Sequence, residues 1–276
     1  MDNKQFTKNE ITNNSCCLRL NFIKDLAEDS YCNFWNDNTF TCFKSYNNIF
    51  FVIYANRLNS IICLDLINNQ IISEIKYAHN NYITNFRHYL DKENKRDLII
   101  SLSKSDNNLK LWNINNFECL LNIRKIYELS FLSSALLLKD NNKMIIITSS
   151  YYFDKNDNQF IKLFDLNGNL IKTLNDSNYN TSFIDSYYDN KLSKTFIITG
   201  NDGYSKSYDY NEDKTYFEYH ENHKNKDYHK SIIIDENETI IKLIESCCDG
   251  FIRIWNFHSA NLLDKINVNN GWLYSI

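Results

Sequence analysis

Three histidines, His220, His223 and His229, fall within ten residues in YHENHKNKDYHK, and clustered imidazoles are the usual first sign of a metal centre. Zinc would also need partners at chelating spacing, and this stretch contains no cysteine. It is dense in charge and separates two apolar runs, so it reads as a solvated loop. The eight cysteines are no better placed for chemistry. Cys16-Cys17 and Cys247-Cys248 are adjacent pairs, while Cys32, Cys42, Cys63 and Cys119 stand singly in or near apolar runs. No C-x-x-C pair occurs, which argues against both a zinc site and a disulfide framework. Reduced, mostly buried thiols are expected, and with them a cytosolic or nuclear setting.

Nucleophile and phosphate motifs are missing as well. The sequence contains no G-x-S-x-G elbow, P-loop or His-Glu-x-x-His pattern. Gly168, Gly200, Gly203, Gly250 and Gly271 are too sparse for a phosphate cradle. Aspartate and glutamate are plentiful but sit mostly in turn-like stretches, such as the charge-rich DKENKRD of 91–97. These residues therefore assign no catalytic residue, no metal ligand and no cofactor. The Tyr-rich SSYYFDKNDNQ of 149–159 could present aromatics to a partner or pack them on its own sheet.

The elements around these residues are more informative. The chain has 276 residues, 43% of them hydrophobic, yet no apolar run approaches the 18 that a membrane helix requires. The opening MDNKQFTKNEITNN is polar and lacks the apolar core of a signal peptide, so a soluble intracellular protein is expected. A net charge of -4 gives no basic field for nucleic acid or an anionic membrane, and neither partner is expected. With no proline and only 5 glycines, asparagine takes over the turns, since it tolerates left-handed backbone better than most residues.

One phrase recurs five times: IICLDLINNQIISEI (61–75), LKLWNINNFECLLNI (109–123), IKLFDLNGNLIKTL (161–174), SKSYDYNEDKTYFEY (205–219) and IRIWNFHSANLLDKI (252–266). Each reads as a strand, an Asp or Asn, a polar turn and a second strand. Asn167-Gly168 has the composition of a type I′ hairpin turn, and Asn68-Asn69 and Asn115-Asn116 are weaker forms of it. The aligned positions Asp65, Asn113, Asp165, Asp209 and Asn256 are 48, 52, 44 and 47 residues apart, a period that marks repeated supersecondary units. Two further strand-like runs precede each phrase, for example YITNFRHYL (82–90) and DLIISLSK (97–104). Four antiparallel strands per period make one propeller blade. Near-continuous apolar runs such as DLIISL, MIIIT and FIIT suit inner strands covered on both faces.

In these residues the chain resembles the WD40-repeat family over roughly 18–275. Trp112-Asn113 and Trp255-Asn256 stand where that family has Trp-Asp, and Leu64-Asp65, Phe164-Asp165 and Tyr208-Asp209 keep the Asp. An aspartate precedes the large residue by six positions in three copies: Asp106 to Trp112, Asp202 to Tyr208 and Asp249 to Trp255. His79, in YAHNNYITNF, takes the place of the family's Gly-His element. The resemblance implies a buried network that braces each blade, here His79, Ser101 or Ser103, Asp106 and Trp112, with Asp202, Asp249 and Trp255 as members elsewhere. It also implies partner contacts beside the network, at Thr84, Phe86, Ser105, Asn201 and Cys248. The family's substrate-receptor arginine, two residues after the Asp, is replaced by Ile67, Asn115, Asn167, Asn211 and His258.

The expected architecture is thus all-β, a WD40-like propeller over 18–276 after a polar tail of 1–17. Five full four-stranded blades end near 75, 123, 174, 219 and 266. LRLNFIKDL (18–26) resembles a lone outer strand and NGWLYSI (270–276) the start of a further blade, so a C-terminally incomplete propeller is expected. The function that follows is a non-catalytic scaffold contacting protein or peptide partners through the propeller faces. The alternatives are an enzyme with its site in the central channel and a truncated product with no independent role.

Overall fold

In the computed structural model the described residues are 40–128, 130–140, 143–151, 161–174, 181–201, 204–221, 229–236, 240–247 and 249–268. They form twenty strands in five four-stranded antiparallel sheets, with no helix among them, and no sheet closes on itself. The first sheet holds β1 (Phe40–Lys44), β2 (Phe50–Ala55), β3 (Ile61–Asp65) and β4 (Gln70–Ile75), and the second β5 (Ile83–Asp91), β6 (Arg96–Ser103), β7 (Asn108–Asn113) and β8 (Glu118–Ile123). The third holds β9 (Phe131–Asp140), β10 (Lys143–Tyr151), β11 (Ile161–Phe164) and β12 (Leu170–Leu174). The fourth holds β13 (Thr181–Asp189), β14 (Lys194–Asn201), β15 (Tyr204–Asp209) and β16 (Lys214–Tyr219), and the fifth β17 (His229–Glu236), β18 (Ile240–Cys247), β19 (Phe251–Asn256) and β20 (Leu262–Asn267). Spatial order follows chain order in every sheet. The N-terminal tail, the run at 18–26 and the run at 270–276 lie outside the described residues, as do His223, Asp202 and Cys248. Of the three histidines read as one loop, His229 instead opens strand β17.

Strand alternation explains how the sheets stack. Consecutive residues of a strand point to opposite faces. On β6, Ile99 enters a core shared with the first sheet, containing Ile53, Cys63 and Trp112. Its neighbours Leu98 and Ile100 enter a core shared with the third sheet, containing Leu132, Leu137 and Phe164. Equivalent cores join the third sheet to the fourth and the fourth to the fifth. In the second to fifth phrases the large residue packs back on the preceding sheet, as Trp112, Phe164, Tyr208 and Trp255 do. The residue ending each outer strand packs forward: Ile123, Leu174 and Tyr219 are 9%, 1% and 0% exposed. Their counterpart on the fifth sheet, Ile266, is 44% exposed, and no described element covers that face.

The repeated Asp or Asn has a local cause. Its side-chain oxygen accepts main-chain N–H groups of the following turn in all five sheets. Asp65 accepts from Ile67 and Asn68, Asn113 from Asn115, and Asp165 from Asn167 and Asn169. Asp209 accepts from Asn211 and Glu212, and Asn256 from His258 and Ser259. These are Asx turns, in which a short polar side chain replaces the missing main-chain acceptor. They correct the expected type I′ geometry, which needs two left-handed residues. Each turn has one, at Asn69, Phe117, Gly168, Asp213 or Ala260, because the side chain has already bent the chain. A bulge accompanies every turn: pairing slips by one residue just before Leu64, Trp112, Phe164, Tyr208 and Trp255.

Ala260 holds φ +52°, where its Cβ crowds the backbone. Ala260→Gly is expected to stabilise the chain by about 1 kcal/mol in urea unfolding, and Asn256→Ala to destabilise it by about 1 kcal/mol.

Candidate functional site

The residues expected to form a network meet between the first and second sheets. His79 lies in the link from β4 to β5, Ser101 on β6 and Trp112 on β7, and all three are buried. The Ser101 hydroxyl contacts His79 Nε2 at 2.7 Å and accepts the Trp112 indole N–H at 2.8 Å. One small hydroxyl thus satisfies two larger polar groups inside an apolar contact. Burial, assisted by the nearby Lys110 charge, pushes the His79 imidazole down to about 3, so the ring is neutral. Asp106 is not joined to this trio. It accepts a hydrogen bond from Ser103, at 3.1 Å, and His79 Nδ1 has no partner among the described residues.

The next sheet rebuilds the histidine–serine half of the trio with different residues, and Phe164 takes the Trp112 position. Tyr127 stands in the link before β9, and its hydroxyl lies 3.0 Å from both the carbonyl and the hydroxyl of Thr148, the counterpart of Ser101 on β10. A lysine two residues before the large aromatic completes both versions. Lys110 Nζ donates to the Ala78 carbonyl at 2.5 Å, and Lys162 Nζ to the Ile126 carbonyl at 2.8 Å. Each ammonium also lies over an aromatic ring, Trp112 and Tyr127 respectively. This lysine was legible as K-x-W and K-x-F in the repeated phrase, and continues as Lys206 and Arg253. The tyrosine had no such signal, because it occupies a histidine position.

The fifth sheet buries a carboxyl and a guanidinium on facing strands. Glu245 takes the Ser101 position on β18, is 1% exposed, and stands opposite Arg253 of β19 with Trp255 beside it. Burial lifts its carboxyl to about 7 against the opposing pull of Ser205 and Arg253. Arg253 is fully buried and bonds Asp249 and, at 3.0 Å, Glu221, which Lys265 also reaches at 2.6 Å. Burial works against the Asp249 charge, yet Arg253 and the Phe251 N–H hold its carboxyl at about 2.

One of the expected partner contacts is covered by the fold itself. Phe86 is buried in the core between the first two sheets, because its position in β5 points at Ile53 and Trp112, so it cannot meet a partner. Thr84 is half-buried and its hydroxyl reaches the Leu102 carbonyl, Ser105 is exposed in the turn before β7, and Asn201 closes β14. Cys248, like Asp202, lies outside the described residues. Of the four described cysteines, all free, Cys63 and Cys247 are buried, but Cys42 and Cys119 are exposed, which corrects the expectation of mostly buried thiols. Among the described residues no three His, Cys, Asp or Glu side chains gather as metal ligands.

Comparison adds fold information alone. No family model matches the sequence, and no curated protein does. The crystal structure of the computationally designed Ika8 protein superposes with a TM-score of 0.60 at 16% identity. The match covers 85% of this chain and 63% of the designed one, so the chain spans less than two thirds of that protein's length.

Trp112→Ala is expected to cost about 3–5 kcal/mol of stability and Ser101→Ala about 1–3, whereas Asp106→Ala should cost no more than about 1. The titrations have opposite signs. Between the ordinary 6.5 and about 3, the unfolded chain binds a proton that folded His79 refuses, so stability is lost as pH falls through that window. Between the ordinary 4.5 and about 7, folded Glu245 keeps a proton that the unfolded chain has released, so its contribution is full below 4.5 and is lost as pH rises through 7. Urea midpoints measured against pH should therefore fall more steeply below 6.5 in Glu245→Gln, and less steeply in His79→Gln, than in the unaltered chain.

Proposed function

We propose that the five sheets form a propeller-like arc of the WD40 kind, and that the chain is a non-catalytic scaffold for protein–protein contacts. One side chain supports the arc most directly. Arg87, on the innermost strand of the second sheet, donates to the Ile184 carbonyl on β13 at 2.7 Å, lies 3.8 Å from Asp185 and stacks over Phe183. β13 belongs to the fourth sheet, so Arg87 reaches past the third. Sheets packed flat lie about 10 Å apart, which would put the second and fourth about 20 Å from each other, beyond the reach of an arginine. Inner strands that converge, as around a propeller axis, bring the two within its reach, and the contact supports that reading. Trp112-Asn113, Trp255-Asn256 and the His79–Ser101–Trp112 trio fit that reading residue by residue.

The scaffold reading rests on how reactive side chains are spent. His79, Tyr127 and Arg253 make contacts that hold sheets to links, and Glu245 meets Ser205 of the neighbouring sheet, while the links themselves are tied down. The Asn107 amide donates to the carbonyls of Tyr127 and Ser130, at 3.0 and 2.7 Å, and accepts the Leu132 N–H at 2.7 Å. A rigid set of loops binds a partner without the cost of ordering itself.

Small-angle scattering tests the arrangement: a compact body of 276 residues should give a radius of gyration of about 19 Å, and a straight row of sheets a clearly larger one. Selection of a random peptide display library on the purified chain tests the function. Saturable binders are expected, and a selection that yields none would sink the scaffold reading.

A further inference from the structure

Connections alternate between two ends of the sheets. One end carries the Asx turns; the other carries the links between sheets together with the turns from second to third strand. At the Asx-turn end cations sit among acids, and Arg96–Asp91, Lys172–Asp213 and Lys194 with Asp209 and Glu212 form ion pairs there. The link end of the first two sheets differs. Arg57, Lys76, Lys104, Arg124 and Lys125 lie in its connections, and none of the five forms an ion pair among the described residues. The acids described in these connections are Asp106, engaged with Ser103, and Glu128.

Apolar groups stand among these cations. Tyr77 is 71% exposed and Leu58 is 58% exposed, on connections that touch: the Tyr77 N–H donates to Ser60 Oγ at 3.3 Å. Tyr77 and Lys125 are both held in left-handed backbone, φ +50° and +52°, a conformation that costs a bulky residue about 1–2 kcal/mol. The fold imposes it at equivalent positions, two residues before His79 and Tyr127, and it fixes where both side chains project. Lys104 is half-buried over the rings of Phe131 and Tyr151, 5.7 and 5.4 Å from their centroids.

We propose that the link end of the first two sheets binds an acidic peptide segment that also carries aliphatic or aromatic side chains. The inference rests on the scaffold reading and adds the partner's chemistry. Unpaired cations on rigid loops attract carboxylates, and desolvated apolar contacts with Tyr77 and Leu58 supply affinity. A nucleic acid fits less well, because the molecule as a whole is acidic, with a net charge of -4, and would repel a long polyanion.

The test uses the full chain and the peptides enriched from the random library. They should be rich in Asp and Glu, and their binding should weaken as salt rises from about 0.05 to about 0.5 M. Arg57→Glu combined with Lys125→Glu should weaken them about tenfold or more, with the thermal midpoint unchanged. Tyr77→Ala should weaken them without altering the salt dependence. Binders that are neutral or basic, or that ignore the double charge reversal, would overturn the assignment while leaving the scaffold reading standing. Tighter binding of a uridine decamer than of the peptides would overturn it in favour of single-stranded nucleic acid.

Discussion

Everything in this structure depends on burying both faces of each sheet's middle strands. Leu98, Ile99 and Ile100 are consecutive residues that serve two different cores, one on either side of their sheet. A sheet built this way has no solvent face, so it cannot stand alone and must be clasped by neighbours. The forward-packing residue of each outer strand and the backward-packing aromatic of each third strand are the two halves of that clasp. The exposure of Ile266 shows the same face without its cover.

Several polar groups in this apolar stack are set against one another, although His79 Nδ1 has no partner among the described residues. Ser101 suits its position because a single hydroxyl can face His79 and Trp112 together. Thr148 preserves the arrangement when the histidine becomes Tyr127. The fifth sheet departs from the pattern by placing a carboxyl there, and a fully buried arginine on the opposite strand answers it. Such a charge cluster costs desolvation that hydroxyls do not incur, so the five sheets are equal in topology and unequal in electrostatics.

The repeated four-stranded sheets were legible because their cause is periodic. A 44- to 52-residue spacing of Asp65, Asn113, Asp165, Asp209 and Asn256 reports the Asx turns, and near-continuous apolar runs report two-sided burial. The turn type was misread at Asn167-Gly168, because the composition of a two-residue loop says nothing about a side chain capping the turn from Asp165. Phe86 was misplaced because the spacing from His79 gives its position along the strand and not its face. The Tyr127–Thr148 pair was invisible for a different reason: what recurs there is a geometry, and two unrelated side chains supply it.

Strand order that never departs from chain order has a consequence for how the molecule is made. Among the described residues each strand pairs only with strands next to it in sequence, so the four described strands of every sheet are available once their own stretch of chain has been synthesised. Loop-closure entropy is then spent in short instalments, and no pairing among the described strands waits for a distant segment. A nascent chain can add finished sheets one after another as it leaves the ribosome, each new one roofing the apolar face that the last one left open.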